Sequence, residues 1–319
     1  MKNAILNFPK QFEIGIEKAE DIKLEGPFKN VVVTGMGGSA IPANIILTWL
    51  ENLKTPLYIH RTYGLPPQAS EKSLVVCISF SGNTEETISA LRESQKRNFS
   101  TSIITTGGEL EKIARESKIP LAEIPKEDIQ PRCASGYLFG ALSKILFNSG
   151  LVENKEEEII EMARSLNPQM LEEKGKKLAE KIAEKIPVVY ASQKFKYLAR
   201  IWKIKFNENS KTPAFWNYFP ELNHNEMVGF ERGENFHLVI LKDEEDHPKV
   251  KERMELTAKL LGEKGLRSNF VALQGKNKIE KIFNNLILSD WTSYYLALKF
   301  NIDPEPVKIV EDFKKRLGK

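Results

Sequence analysis

Cysteine is nearly absent from this chain: Cys77 and Cys133 are the only two in 319 residues. With no CxxC pair and no regular spacing, they exclude a disulfide framework and fit a reducing compartment; each reads as a small buried residue. Histidine is almost as scarce. His60, His237 and His247 stand at no metal-ligand spacing, and the HxE formed by His224 and Glu226 lacks the PCxxC of a deaminase zinc site. No metal and no organic cofactor is therefore expected. Charge of one sign is missing too, with 47 Lys and Arg against 43 Asp and Glu for a formal +4. That balance argues against a nucleic-acid or membrane binder and leaves room only for local anion sites. No run of about 18 apolar residues occurs, because 31–50 is cut by a glycine loop and 284–300 by Asp290. Residues 1–17 carry charges and a proline where a secretion signal needs an unbroken apolar stretch. A cytoplasmic location is expected.

What the chain does have is length and alternation. Chains beyond about 250–300 residues tend to divide into domains, so a boundary near residue 150 is expected, giving domains 1–150 and 151–319. A composition of 41% hydrophobic and 28% charged residues excludes a disordered chain. In the first half, β-branched runs predict strands at 31–34, 57–60, 74–79 and 102–105, with helices at 40–52, 84–97, 109–117 and 134–147. The acidic run 156–161 reads as a solvated helix face. The second half repeats the pattern, with strands at 188–192, 237–242 and 269–273. Its helices end near Asn209, Glu263 and Phe300, and a last one covers 306–317. The aromatic cluster AFWNYF at 214–219 reads as packing. This alternation predicts an α/β protein with two doubly wound parallel sheets, a fold that binds ligands at the carboxyl ends of its strands.

Two loops in the first half carry chemistry. TGMGGSAIP, 34–42, follows a strand and opens a helix. Its glycines let the backbone approach an anion, and Ser39 sets a hydroxyl beside the helix amides. The spacing is neither GxGxxG nor a P-loop, so a dinucleotide or Walker site is excluded, and taken alone the segment reads equally well as a tight turn. ISFSGNTEET, 78–87, offers Ser79, Ser81, Thr84 and Thr87 around Gly82. Asn83 or Thr84 could simply cap the helix, but the hydroxyls exceed what a cap needs and suit a phosphate cradle with no charge of its own.

GMGGS and SFSGNT, about 40 residues apart, together resemble the phosphosugar-binding loops of the sugar isomerase (SIS) family. PRCASGY (131–137), KIKFNENSK (203–211) and ELNHNEMVGFE (221–231) narrow the resemblance to the bifunctional phosphoglucose/phosphomannose isomerases, over essentially the whole chain. The resemblance implies two SIS-type domains that interconvert glucose 6-phosphate or mannose 6-phosphate with fructose 6-phosphate. It implies that Gly38, Ser39, Ser79, Ser81 and Thr84 hold the phosphate, and that Arg132 stabilises an enediolate. Glu208, at the end of a helix bearing Lys203 and Lys205, would move the proton between adjacent carbons. His224 and Lys314 would assist ring opening. A homodimer is implied as well, with the site at the interface and the histidine reaching across from the other subunit.

Each residue also has a plainer reading: Arg132 in a domain-interface ion pair, Glu208 as a solvated helix residue, Lys314 and Lys315 as solubilising charges. Val307 stands where the family tends to carry threonine, which removes one sugar-hydroxyl contact. Two rival functions remain on sequence grounds. A non-catalytic phosphosugar sensor is opposed by Glu208 and His224; an amide-transfer isomerase needs a glutamine-hydrolysing domain for which 319 residues are too few. If the reaction needs no metal, exhaustive chelation should leave sugar-phosphate isomerisation intact. Loss of activity that zinc or magnesium restores would refute this.

Overall fold

Runs such as 31–33 and 74–78 are apolar at every position, which suits strands buried on both faces of a parallel sheet. That is their environment in the structure, a computed structural model that describes every residue except Asp128, Gly233, Glu234 and Lys319. The chain forms two compact units. One comprises Leu6–Leu166 with Asn277–Glu280; the other comprises Met1–Ile5, Asn167–Lys276 and the segment from Lys281 onward.

The chain opens with α1 (Lys2–Leu6), nearly all of which belongs to the other unit; after α2 (Gln11–Glu17) the first unit alternates strands and helices. They are β1 (Asn30–Thr34), α3 (Ile41–Trp49), β2 (Leu57–His60), β3 (Ser73–Ser79), α4 (Glu85–Lys96), β4 (Ser100–Thr105), α5 (Gly108–Ser117) and β5 (Leu121–Glu123), then α6 (Ser135–Asn148) and α7 (Glu156–Ser165). The sheet has the order β2-β1-β3-β4-β5 with every pair parallel. Val32, Val75, Cys77 and Ile103 join Leu91, Leu110 and Ala114 in one core cluster. Each fully buried aliphatic side chain of this kind contributes about 1.5–3 kcal/mol. Burial pushes the Cys77 thiol well up from its ordinary value, so it stays protonated and inert.

The second unit continues with α8 (Pro168–Ile182), β6 (Ile186–Ser192), α9 (Lys196–Asn209), β7 (Phe215–Phe219), α10 (Glu226–Gly229), β8 (Phe236–Lys242) and α11 (Pro248–Glu263). It closes with β9 (Arg267–Ala272), α12 (Lys278–Lys299) and α13 (Lys308–Arg316). Its sheet is parallel throughout, in the order β7-β6-β8-β9. Both sheets thus place their first strand beside their third, and the doubly wound α/β expectation holds in both units.

Three details differ from the expectation. The aromatic cluster is not only packing: it is the edge strand β7, with Phe219 buried and Phe215 exposed. Strand β5 has three residues, too short to stand out by pattern. The acidic run is not wholly solvated either, because Glu156 Oε2 lies 2.8 Å from Nζ of the buried Lys144. Among the described residues, no helix is long and apolar enough to cross a membrane.

Candidate active site

In a sheet ordered this way the chain leaves β1 toward one edge and returns to β3 on the other side, so the loops after β1 and β3 diverge and leave a crevice. The two sequence motifs are those loops. Gly38 sits so close to the turn Pro131–Cys133 that a Cβ there would lie 2.8 Å from the Arg132 nitrogen and 2.9 Å from the Pro131 carbonyl carbon. Ser39 accepts a hydrogen bond from the Phe80 amide at 3.1 Å, tying the first loop to the second. Ser79 Oγ accepts from the Gly82 amide at 3.1 Å and lies 2.8 Å from Thr84 Oγ1. Ser81 is exposed, and its hydroxyl accepts from the Asn83 amide at 3.3 Å. Gly38, Ser39, Ser79, Ser81, Thr84 and Arg132 are therefore gathered at one crevice.

The details separate their parts. Ser39 and Ser79 are buried and shape the loops, while Ser81 and Thr84 reach solvent. Thr87 is fully buried, which takes the fourth hydroxyl of the motif out of reach of a ligand. Thr84, at the N-cap of α4, makes no side-chain capping bond, and Asn83 Oδ1 accepts from the Glu109 amide at 3.0 Å. The loop hydroxyls thus stand at the amino end of α4, and an anion fits a helix start. Arg132 is 1% exposed, with Nη1 3.5 Å from Gln130 Oε1.

The remaining candidates belong to the other unit. There α9 runs back from the carboxyl end of β6 to the amino end of β7, so Glu208 lies at the amino end of the sheet, away from that unit's own crevice. Glu208 is half-buried beside a cavity of about 520 Å³ whose walls include Ile302, Pro306, Val307 and Val310. Lys211, left-handed at φ 52°, ties off the helix. Its ammonium donates to the carbonyls of Glu208 at 2.8 Å, Asn209 at 3.3 Å and Pro304 at 3.0 Å. His224 ends the short turn Glu221–His224 and is exposed. Lys314 and Lys315 are exposed on α13, whose first turn lines the cavity. Neither His224 nor Lys314 is among the residues lining it.

Glu226, the acidic half of the HxE, is spoken for: Tyr190 Oη donates to it at 2.6 Å, and Asn217 Nδ2 donates to its other oxygen. Burial first, and then that carboxylate, hold the Tyr190 phenol far above its ordinary value. Among the described residues, no three His, Cys, Asp or Glu side chains gather as metal ligands. Sequence reasoning missed one cluster at the crevice of the second sheet. Asp243 there binds Lys281 Nζ at 2.8 Å and Lys194 Nζ at 3.2 Å. Burial pushes the Asp243 carboxyl up, but the two lysines outweigh burial and hold it below its usual range. Sequence did carry one signal for this cluster, the absence of a glycine loop after β6.

Comparison with known proteins agrees with this layout. Residues 28–149 match the SIS domain family, and residues 171–317 match the bacterial phospho-glucose isomerase C-terminal SIS domain. A bifunctional phosphoglucose/phosphomannose isomerase of Caldicellulosiruptor bescii is 37% identical over 100% of this chain and 99% of its own length. The chain belongs to that family. Such membership makes it a sugar-phosphate isomerase, an enzyme rather than a non-catalytic sensor. A relative of the same name from Aquifex aeolicus is 37% identical over 92% of each chain. The C-terminal domain of glucosamine-fructose-6-phosphate aminotransferase from Francisella tularensis shares the fold, with a TM-score of 0.75 at 15% identity over 95% of this chain and 97% of that one.

Gly82 is the hinge of the second loop, at φ 70°, and a Cβ there would run into the Gly107 carbonyl. Gly150 has a similar φ of 66° with nothing within 4 Å. Gly150→Ala should therefore cost only left-handed strain, about 1–2 kcal/mol, and Gly82→Ala clearly more, both read by urea unfolding. Equal losses would show that the loop can move off Gly107.

Proposed function

We propose that this isomerase interconverts glucose 6-phosphate or mannose 6-phosphate with fructose 6-phosphate, with the division of labour between domains 1–150 and 151–319 that their chemistry suggests. In the first, Ser81 and Thr84, the α4 amides and the loop shaped by Gly38, Ser39 and Ser79 receive the phosphate. Arg132 stands at the same crevice, where its guanidinium stabilises the oxyanion that forms on deprotonation. The observation that supports this most is the gathering of the Ser79, Ser81 and Thr84 hydroxyls around Gly82 at the amino end of α4.

In the second domain Glu208 removes the C2 proton of the open-chain aldose. The C–H electrons form the C1–C2 double bond and the carbonyl oxygen becomes the enediolate oxyanion. The same carboxyl returns its proton to C1 as the O2 hydroxyl proton passes to O1, leaving the ketose. One carboxyl suffices for both transfers. Ring opening precedes this, with His224 and Lys314 moving protons on the ring oxygen and the C1 hydroxyl. No metal or organic cofactor takes part, and the reaction belongs to the cytoplasm, in the hexose phosphate exchange of glycolysis and gluconeogenesis.

Glu208→Gln tests the base. Sugar-phosphate binding should persist while the rate falls by about a hundredfold or more and exchange of the C2 proton with deuterated water stops. Persistent exchange would clear Glu208 of that role.

The enzyme acts as a homodimer in this reading, each site completed by His224 of the partner subunit. Polar, exposed His224 beside the aromatic edge strand β7 is consistent with that arrangement. Glu208→Gln and His224→Ala chains, each nearly inactive alone, should regain activity when mixed and allowed to exchange, because one site in each heterodimer then carries no defect. If heterodimers confirmed by mass stay inactive, His224 serves its own subunit.

A further inference from the structure

Helix α9 buries an unusual face. Helical positions three and four apart share one side, and on α9 the set Trp202, Lys205 and Asn209 is fully buried. Each of the three meets a polar partner on α12. Trp202 Nε1 donates to Asn285 Oδ1 at 2.7 Å, Lys205 Nζ lies 2.8 Å from Asp290 Oδ1, and Asn209 Nδ2 donates to Ser293 Oγ at 2.8 Å. Lys205 is 0% exposed and Asp290 4%.

Adhesion alone does not call for this. Leucine or methionine at the same positions would hold two helices together at least as well, because desolvating two charges offsets most of their attraction. A polar ladder differs from an apolar seam in tolerance. An apolar seam accepts small slips, whereas turning α9 by one residue rotates it about 100° and shifts it about 1.5 Å, stranding an ammonium and a carboxylate where no water can reach them. The ladder therefore permits one rotation of α9 about its axis.

Glu208 stands three residues beyond Lys205, on the next turn of the same helix, and adjacent to Asn209. Lys211 fixes the helix end against the 304 carbonyl. We propose that Lys205 and Asp290 are a positioning pair, which sets the rotation of α9 and thereby the aim of the Glu208 carboxylate at the substrate carbon. The proposal rests on Glu208 being the base.

The test is an apolar replacement of the pair, Lys205→Met with Asp290→Leu, compared with wild type and with Glu208→Gln. The folded state should survive, as judged by circular dichroism and a cooperative melt. KM should stay within about twofold and kcat should fall by about tenfold or more, the scale of loss that a misplaced catalytic group produces. The fraction of C2 proton carried to C1 rather than lost to solvent should fall in parallel, a readout that general destabilisation does not move. Should the apolar pair fail to fold, the neutral pair Lys205→Gln with Asp290→Asn takes its place. Because Gln and Asn still offer a polar partner to each other across the seam, it should retain more of kcat and of the proton transfer than a variant with one partner removed, such as Asp290→Leu alone. Wild-type kcat and proton transfer in the apolar double variant would overturn the proposal, as would a neutral pair no better than Asp290→Leu alone. If Glu208→Gln itself keeps exchanging the C2 proton, the assignment of the base has failed instead.

Discussion

Everything in the first unit follows from one constraint on parallel strands: they must be joined by crossovers, and where the direction of winding changes two loops part with nothing to fill the gap. The order β2-β1-β3 puts that gap between β1 and β3. The unit leaves it open and lines it with glycine, hydroxyl and amide groups. The second unit repeats the order in β7-β6-β8 and meets the same gap, but closes it with Asp243 between two lysines. One geometry thus yields a hydroxyl-lined crevice in one unit and an internal ion-pair cluster in the other.

The second unit's crevice is occupied by charge, and the base proposed for it, Glu208, lies at the opposite end of its sheet. A helix returning from the carboxyl end delivers its last turn to the amino end, and Glu208 is in that turn. A helix terminus is the part of a helix freest to fray, because its last carbonyls lack partners within the helix. Lys211 supplies those partners, and the buried polar contacts to α12 hold the preceding turns. A carboxylate at the end of a helix is made a fixed group by these contacts rather than by α9 alone.

The two loops were legible from sequence because their chemistry is local: the glycines, hydroxyls and flanking strand and helix of each fall within ten residues. The parallel sheets were legible because strands buried on both faces are apolar throughout. What escaped depends on pairing at a distance. Lys205 and Asp290 each look like an ordinary surface charge until α9 and α12 are placed together, and Lys194, Asp243 and Lys281 come from the turn after β6, the loop after β8 and α12. His247 is a surface residue whose ring nitrogen also accepts the Lys249 amide at the start of α11, a cap that residue type does not announce. Lys211 escaped for a different reason, since a left-handed lysine has no signature in composition or periodicity.

The bond from the Phe80 amide to Ser39, the Ser79 contact with Thr84 and the seating of Gly82 against Gly107 lace the crevice into one piece. Loops ordered in this way give up their conformational entropy when the chain folds, not when a ligand arrives. An anion seated there meets amides and hydroxyls already at their stations, and the ordering of the loops does not count against its affinity. For the phosphate site proposed there, calorimetry should show a small entropic penalty on association, with selectivity set by the shape of the cradle rather than by closure around the guest.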